Sequence, residues 1–596
     1  MKKKLLAFLL TAASVFALAG CGELSGNGTT VKVWVYGDTT TINAYYAMRD
    51  EFNETTGKEE GITVRIIPKP ESNYETLLAN GVTSSSGPDV FAVSDRYFKK
   101  YADYYEPLDS YMNEGVTDDL YPSTVERYKY NKENNTTDEN SVQYALPVDH
   151  NPTTLYYNET ALEEAGVIVI SVDEEDLDAF NAGTKADNTG KYKKDYGIAD
   201  NVTIPAKGYY RSLYPFVKND RITNGSNWHA PVSGELLVFN NRIPMNWDEL
   251  EDLGMLMTRS RSNVSSVTTD YGFYTEWWFN YGWSVGGDCL ADMTGNGDWT
   301  FTLGDDTPNY IVNEGQTYTG IYTGTVYQAG EALEFVDRLA IDRGAEVVAE
   351  DNGTYTVGGQ TIGIRQDVTE KCAQGVLSEF PSTKEAFTRF AMLAGEDGLN
   401  ICPYPSAFAS SQSSANYFFS GKVAFLVERA VYIKQIDESA SFDWNVAPLP
   451  VYKEYTQPSD PSCDEVARQG MQAGHSDGIA LAIRVGSDVK EEAYKVIEWF
   501  CTANGQSIWA ENGFVPNCIS LGESYATGSH ALADNIGVMV DSLEYEQPGD
   551  WWYMKDRAWI DVWSKPLNNE VRYGKMTLED FFSTYIKETN ALLKGY

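Results

Sequence analysis

The sequence predicts an α/β fold, and five segments near its start carry that expectation. "VKVWVYGD" (Val31–Asp38) alternates and is rich in β-branched and aromatic residues, so it reads as a strand. "TINAYYAMRDEFNETTG" follows with helical periodicity and closes on Gly57, a natural C-cap. "ITVRIIP" then reads as a second strand, "YETLLANGVTSS" as a second helix and "PDVFAVSD" as a third strand. Strand, helix, strand, helix, strand implies a parallel sheet with helices on both faces. At 596 residues the chain is too long for one core, so two or more domains are expected.

Further along, "YALPVDHNPTTLYYN" (Tyr144–Asn158) reads as extended and "ETALEEAGV" as a helix. Residues 167–243 look irregular and charge-rich, like an insertion. "MNWDELEDLGMLMT" is a strong helix start, with Asn246 as N-cap and Glu249 three residues later, as in a capping box. "YGFYTEWWFNYGWSVGGD" is an aromatic run closed by Gly286 and Gly287. "EALEFVDRLAI" is an amphipathic helix, and residues 343–415 again look irregular. "YFFSGKVAFLVERAVYIKQI" reads as helix end, turn and strand; "WNVAPLP" and "GIALAIRV" read as strands. "KEEAYKVIEWFCTANGQSIWAENG" is a helix pair, and the last helix starts after Thr577 as N-cap. No internal repeat is evident.

The N-terminus joins "MKKK" to the apolar run "LLAFLLTAASVFALAG" and then Cys21, which is the pattern of an export signal. "LAGC" matches the lipobox of bacterial lipoproteins, in which Cys21 is lipidated and becomes the mature N-terminus; the alternative is an ordinary secreted protein cut elsewhere. "GELSGNGTT" is a flexible tether. The expected place is therefore the extracellular face of the cell membrane, lipid-anchored, with a body that contains no spanning segment. A net charge of −40 argues against nucleic acid or anionic lipid as partner and favours a neutral or cationic ligand. Apart from Cys21, the cysteines Cys289, Cys372, Cys402, Cys463, Cys501 and Cys518 are scattered without a C-x-x-C pair. No metal is expected from them, and an exported protein leaves room for one or two disulfides. No G-x-G-x-x-G or Walker loop follows a strand, so no cofactor is expected. The 40 Tyr, 24 Phe and 14 Trp suit ligands that are polar with apolar faces, such as sugars.

Several of these segments, taken in order, resemble the extracellular solute-binding lipoproteins of carbohydrate ABC importers, the maltose/multiple-sugar-binding family. "VKVWVYGD" is similar to that family's first strand and cleft loop, "GPDVFAVSDRYFKKYADYYEPLDSYM" to its Pro-Asp strand and following helix, and "LPVDHNPTTLYYNETALEEAGV" to its hinge crossing. "NWDEL", "YFFSGKVAFLVE" and "GFVPN" resemble later family segments. The resemblance covers about half of the mature chain and implies a two-lobed periplasmic-binding-protein-like α/β fold, each lobe a central sheet flanked by helices, with a cleft and hinge between. The implied organisation is a signal peptide at 1–20, lipidated Cys21 and tether at 21–30, lobe one at 30–149 plus 422–500, and lobe two at 150–421 plus 501–596. Insertions near 167–243, 288–330 and 343–415 depart from the family pattern. The implied function is capture of a carbohydrate, an oligosaccharide foremost, by a monomeric non-enzyme that delivers it to ABC permease subunits. A secreted glycoside hydrolase, which needs two carboxylates about 5–10 Å apart, and a glycan-binding surface lipoprotein without a permease are the alternatives.

Candidate ligand contacts follow. Tyr36 and Asp38 stand after the first strand, where a carboxylate accepts hydroxyl hydrogen bonds or caps the next helix. Asp95 and Arg96 leave the third strand, and a guanidinium beside a carboxylate forks onto vicinal hydroxyls or forms a plain ion pair. Asp149, His150 and Asn151 stand at the first hinge crossing, with the lone His more often structural than a ligand. Glu428 and Arg429 stand at a later crossing, as ligand contacts or as a plain ion pair. In the aromatic run, Tyr274, Glu276 and Trp277 either line the cleft, with the rings stacking on sugar C–H faces, or belong to the core. "DMTGNGDWTFTL" has the early spacing of a calcium loop but Leu303 in place of the terminal Glu, so a hairpin is the better reading. Finally, "GDWWYMKDRAWIDVW" holds four tryptophans. Trp552, Trp559 and Trp563 share one stripe if the helix is continuous. Trp559 and Trp563 read as packing, whereas Trp551 or Trp552 is expected to close over a sugar.

Overall fold

Val31, Val33 and Val35 point one way and Lys32 and Trp34 the other, and this alternation makes Thr29–Val35 the first strand, β1. The computed structural model describes residues 28–594 apart from 134–136, 138–139, 214–229, 295–296, 344–345, 350–354, 359–361, 396–397, 404–413 and 529–530. The expected signal peptide, Cys21 and the tether up to Asn27 lie outside the described residues. Helices α1 (Thr39–Glu54) and α2 (Tyr74–Val82) connect β1 to β2 (Ile62–Pro68) and then β3 (Val90–Ser94), and both strands pair with β1 in parallel as expected. α1 does not close on Gly57. It breaks at Thr55, and a further helical turn, Thr56–Glu60, ends on Gly61, whose φ of 72° is the left-handed conformation that favours glycine.

Six more strands complete the main sheet: β4 (Ala145–Asn158), β5 (Tyr271–Tyr274), β6 (Val423–Arg429), β7 (Trp444–Ala447), β8 (Gly474–Ile483) and β9 (Glu546–Gln547). Among the described residues the order is β5-β6-β4-β8-β3-β1-β2, with β7 also paired to β4 and β9 to β8. The sheet is mixed, not parallel throughout, because β8 runs antiparallel to both β3 and β4. Every residue of β4 is buried. Its first half pairs with β8 and its second half with β6 and β7.

That division of β4 separates two large cores. Leu146 and Val148 join the smaller one, with Val31, Val33 and Val35. Leu155, Tyr156 and Tyr157 join the larger one, with Phe425, Trp278 and Trp559. Helix α3 (Trp247–Leu256) buttresses the larger core and starts with the expected capping box, Asn246 Oδ1 accepting from Glu249 N at 2.8 Å and Glu249 Oε2 from Asn246 N at 3.1 Å. Helices α4 (Lys490–Cys501) and α5 (Ala503–Glu511) cover the smaller core. The cores therefore depart from the expected lobe boundaries. Phe425 and Val446, expected in lobe one, belong to the larger core because β6 and β7 pair with the far half of β4. Trp509, expected in lobe two, is buried in the smaller core because α5 folds back beside α4. The strand that returns between the cores is β8, not the exit of β6.

The described residues of the insertion at 167–243 are not irregular, and neither are those of 343–415, which hold the strand Leu377–Phe380 and the helix Thr383–Ala391. Ile168–Ile170, Tyr209–Arg211 and Leu237–Asn240 form a three-stranded sheet over a core of its own that includes Ile170, Phe180 and Val238. In the second insertion, Leu290–Asp292 pairs with Trp299–Phe301 as a hairpin. The Asp292 carboxylate accepts the turn amides of Thr294, Gly297 and Asp298 at 3.1, 2.7 and 3.2 Å, which fits the hairpin reading; Asn296 lies outside the described residues. The six described cysteines are all free thiols.

The helical stripe expected near the C-terminus is interrupted. Asp550–Tyr553 forms a separate 3₁₀ turn, and helix α6 begins only at Ala558 (Ala558–Pro566). Trp559 and Trp563 on α6 are buried against Phe301, which is the packing role expected of them. Trp552 is not on their helix. The final helix α7 (Leu578–Leu593) starts at Thr577, whose hydroxyl accepts from Asp580 N at 3.1 Å.

Candidate functional site

A cleft of about 810 Å³ opens where β1, β3, β4, β6 and β8 end or cross. Its walls come from both cores. Tyr36, Asp38, the start of α2 and Arg96 line it, together with Arg429, Tyr432, the residues up to Gln435, and Glu438; Asp149, Asn151 and Asp477 complete the lining. The ends of strands collect here because their carbonyls and following loops cannot continue the ladder, a common place for ligand sites in α/β folds.

Asp38 lines the cleft and also caps α1, accepting from Thr41 N at 2.8 Å and from Thr41 Oγ1 at 2.9 Å through Oδ1. The two roles that the sequence left open are compatible. Asp38→Ala is expected to lower the unfolding free energy by about 1 kcal/mol, and Asp38→Asn, which keeps a capping acceptor, to change it little; urea titrations of the two variants check this. Tyr36 packs on Tyr74 with ring centroids 4.2 Å apart.

The organising residue is one that sequence reasoning missed. Asp477, in β8, receives Arg96 from one side and Arg429 from the other. Arg96 donates through Nε at 3.2 Å and through Nη2 at 3.0 and 2.9 Å, and Arg429 donates through Nη1. Burial alone would raise the Asp477 carboxyl, but the two guanidinium groups overcome it and hold it well below the usual carboxylate range. The only sequence signal was a single acid at the head of the apolar strand "GHSDGIALAI".

Asp95 and Arg96 do not act as a pair. Ser94 Oγ accepts from Arg96 N at 3.2 Å and starts a 3₁₀ turn that sends the two side chains apart. Asp95 turns inward, buried, to Arg127 at 3.3 Å and Gly478 N at 3.0 Å, and it does not line the cleft. Burial, reinforced by nearby Asp477, pushes its carboxyl up to about 6. Asp149 is different. It lines the cleft while only 4% exposed, its Oδ2 accepts from Asn151 Nδ2 at 3.2 Å, and its Oδ1 has no hydrogen-bond partner. Burial raises its carboxyl to about 6. His150 turns away, with Nε2 2.7 Å from Ser476 Oγ, in the structural role expected of a lone histidine.

Glu276, Trp277 and Glu428 line a smaller recess beside the cleft, and Arg429 lines both. Trp277 stacks on Phe279 at 5.7 Å. Tyr274 belongs to the larger core and lines neither space, since it is the last residue of β5 and pairs with Leu426. Trp551 and Trp552 also line neither. Trp551 is buried edge-on against His475 at 4.9 Å, with the Arg96 guanidinium 4.5 Å from its ring. Trp552 donates its indole N–H to Arg127 O at 2.9 Å and is covered by Lys99 at 3.9 Å. The rings that do face the cleft include Tyr36, Tyr74, Tyr97, Tyr432 and Phe514. Tyrosine is so frequent in this chain that sequence alone could not single these out.

Two α/β bodies joined by crossing strands, with a cleft between them, define a two-lobed binding protein. The chain belongs to the bacterial extracellular solute-binding protein family, whose pattern matches residues 38–367, more than half of its length. No curated protein sequence matches it. Its fold is similar to an ABC substrate-binding protein from Listeria monocytogenes in complex with cycloalternan (TM-score 0.54, 13% identity, 96% of this chain and 99% of that one). It is similar also to a cyclic α-maltosyl-1,6-maltose binding protein from Arthrobacter globiformis (TM-score 0.54, 14% identity, 96% and 100%). A third neighbour is the maltose-bound MalE3 of T. maritima (TM-score 0.51, 14% identity, 95% and 100%).

Proposed function

We propose that this protein captures an oligosaccharide in the cleft and hands it to ABC permease subunits, tethered to the outer face of the cell membrane through lipidated Cys21. The observation that carries this reading is Asp149. Its carboxylate lines the cleft and carries one buried oxygen without a protein partner, so the group is suited to a donor from a ligand. Hydroxyls supply such donors, and the neighbouring tyrosine rings suit the C–H faces of a sugar. Three fold neighbours whose names carry cycloalternan, cyclic α-maltosyl-1,6-maltose and maltose support the same ligand class.

Tyr36, Asp38, Asp149, Asn151, Arg96 and Arg429 are assigned to the ligand, with Glu276, Trp277 and Glu428 serving an extension into the recess. Closure of the two lobes about β4 and β8 is the working motion. No covalent chemistry is assigned to the cleft, and the protein works as a monomer.

Calorimetry against linear and cyclic oligosaccharides tests the reading, with amino acids and peptides as controls. Binding of peptides but no sugar would overturn the ligand class, and sugar turnover by the purified protein would favour a hydrolase. Asp149→Ala is expected to weaken sugar binding about tenfold or more, the loss of a hydrogen bond to a charged group, while the protein still unfolds cooperatively.

A further inference from the structure

The 3₁₀ turn that carries Trp551 is fastened by more than its rings. Asp550, at its start, is only 2% exposed, and its Oδ2 accepts the thiol of Cys289 at 2.9 Å. Asp288 stands beside them, and one ligating atom from each of Asp288, Cys289 and Asp550 lies within 4.8 Å of the others. Asp550 Oδ1 accepts no hydrogen bond. The indole N–H of Trp283 lies toward Asp288 and that of Trp278 toward Asp550, and the two carboxyl groups also interact with each other. Two acids and a thiol thus meet, Cys289 and Asp550 buried and Asp288 half-buried, with one carboxylate oxygen of Asp550 left without a partner.

We propose that Asp288, Cys289 and Asp550 bind one divalent cation of the Zn²⁺ class. A thiolate with two carboxylates suits a borderline-soft ion, and the mutual distances allow one ion to touch all three, with water as a further ligand. Binding forms metal–sulfur and metal–oxygen bonds, and the protons displaced from the thiol and any protonated carboxyl leave to solvent. The role is structural. The ion ties the Asp288–Cys289 loop to the Asp550–Tyr553 turn, and that turn places Trp551 behind Arg96 and His475, on the far side of the clamp around Asp477.

The test uses the full chain, stripped with a chelator and titrated with CoCl₂ or ZnCl₂. One equivalent of Co²⁺ is expected to give a near-ultraviolet thiolate-to-metal band, and Zn²⁺ to displace it and raise Tm. Cys289→Ser is expected to remove the band, and Asp550→Asn to weaken Zn²⁺ binding ~10-fold or more, while Cys402→Ser leaves both intact. Should Cys289→Ser fail to fold, Asp288→Asn, which keeps the thiol, carries the same comparison. Absence of one-equivalent binding in the parent chain, or undiminished binding in the Asp288, Cys289 and Asp550 variants, would overturn the proposal.

Discussion

Asp477→Asn is expected to lower the unfolding free energy by about 3 kcal/mol, the usual cost of removing one partner from a mostly buried ion pair, and to weaken ligand binding at least tenfold. The amide keeps the volume and one acceptor but no charge. Arg96 and Arg429, about a quarter exposed at their side chains, then face each other without the carboxylate that reconciles them. Both line the cleft, so the loss reaches the ligand as well as the fold. The sign with pH follows from the depressed carboxyl. Its stabilisation is complete above the ordinary aspartate range and is lost only as pH falls below it, through the folded-state value. Urea unfolding at neutral pH, paired with calorimetry on a bound sugar, checks both effects. An unchanged unfolding free energy would show that the two arginines find other partners.

Glu546→Gln is expected to stabilise the protein at pH 9 by on the order of a few kcal/mol and to change little at pH 5. Glu546, in β9, is 2% exposed and fastens that strand to β4, its Oε1 accepting from Thr153 N at 2.6 Å, while Oε2 has no partner. Burial pushes its carboxyl up to about 8, against hydrogen bonds and Arg127 that act to lower it. A raised carboxyl holds its proton in the folded state where the unfolded chain has released it. Stability therefore falls as pH rises from the ordinary glutamate value to about 8, and glutamine, a mimic of the neutral acid, abolishes that slope. Asp95 and Asp149, raised to about 6, act in the same sense at lower pH. His150 and His475, lowered by burial, act oppositely below neutrality, and Lys99, lowered to about 7 by burial, acts oppositely above it. These groups are common to parent and variant, so the difference between two urea titrations at each pH isolates Glu546. A difference independent of pH would mean that Glu546 titrates as an ordinary glutamate.

Much of the local structure was legible because it rests on local rules. Alternation in β1, the capping box of Asn246 and Glu249, the Thr577 cap and the α4–α5 helix pair each depend on residues within a few positions of one another. The exit of β1 was legible as part of the cleft wall for the same reason: a strand end followed by an acid presents that acid to the cleft, whether or not it also caps a helix. The aromatic run was less so. Trp277 lies at the recess but Tyr274, three residues earlier, is core, because the last residue of β5 still pairs with β6. The insertion at 167–243 looked irregular because its three strands are short and close on one another over some seventy positions, a separation that no periodicity reports.

By itself, the amino-acid order determined the α/β class, the family resemblance and the cleft loop with Tyr36 and Asp38, since propensity, patterning and capping are properties of contiguous residues. Only the tertiary structure decided which charges meet. Arg96 finds Asp477 across 381 positions and Asp95 finds Arg127, not its neighbour. It also decided that Trp551 and Trp552 support the cleft from behind instead of lining it. Electrostatic and packing partners are chosen by distance in space, and the crossing of β4 and β8 brings together residues that the chain keeps far apart.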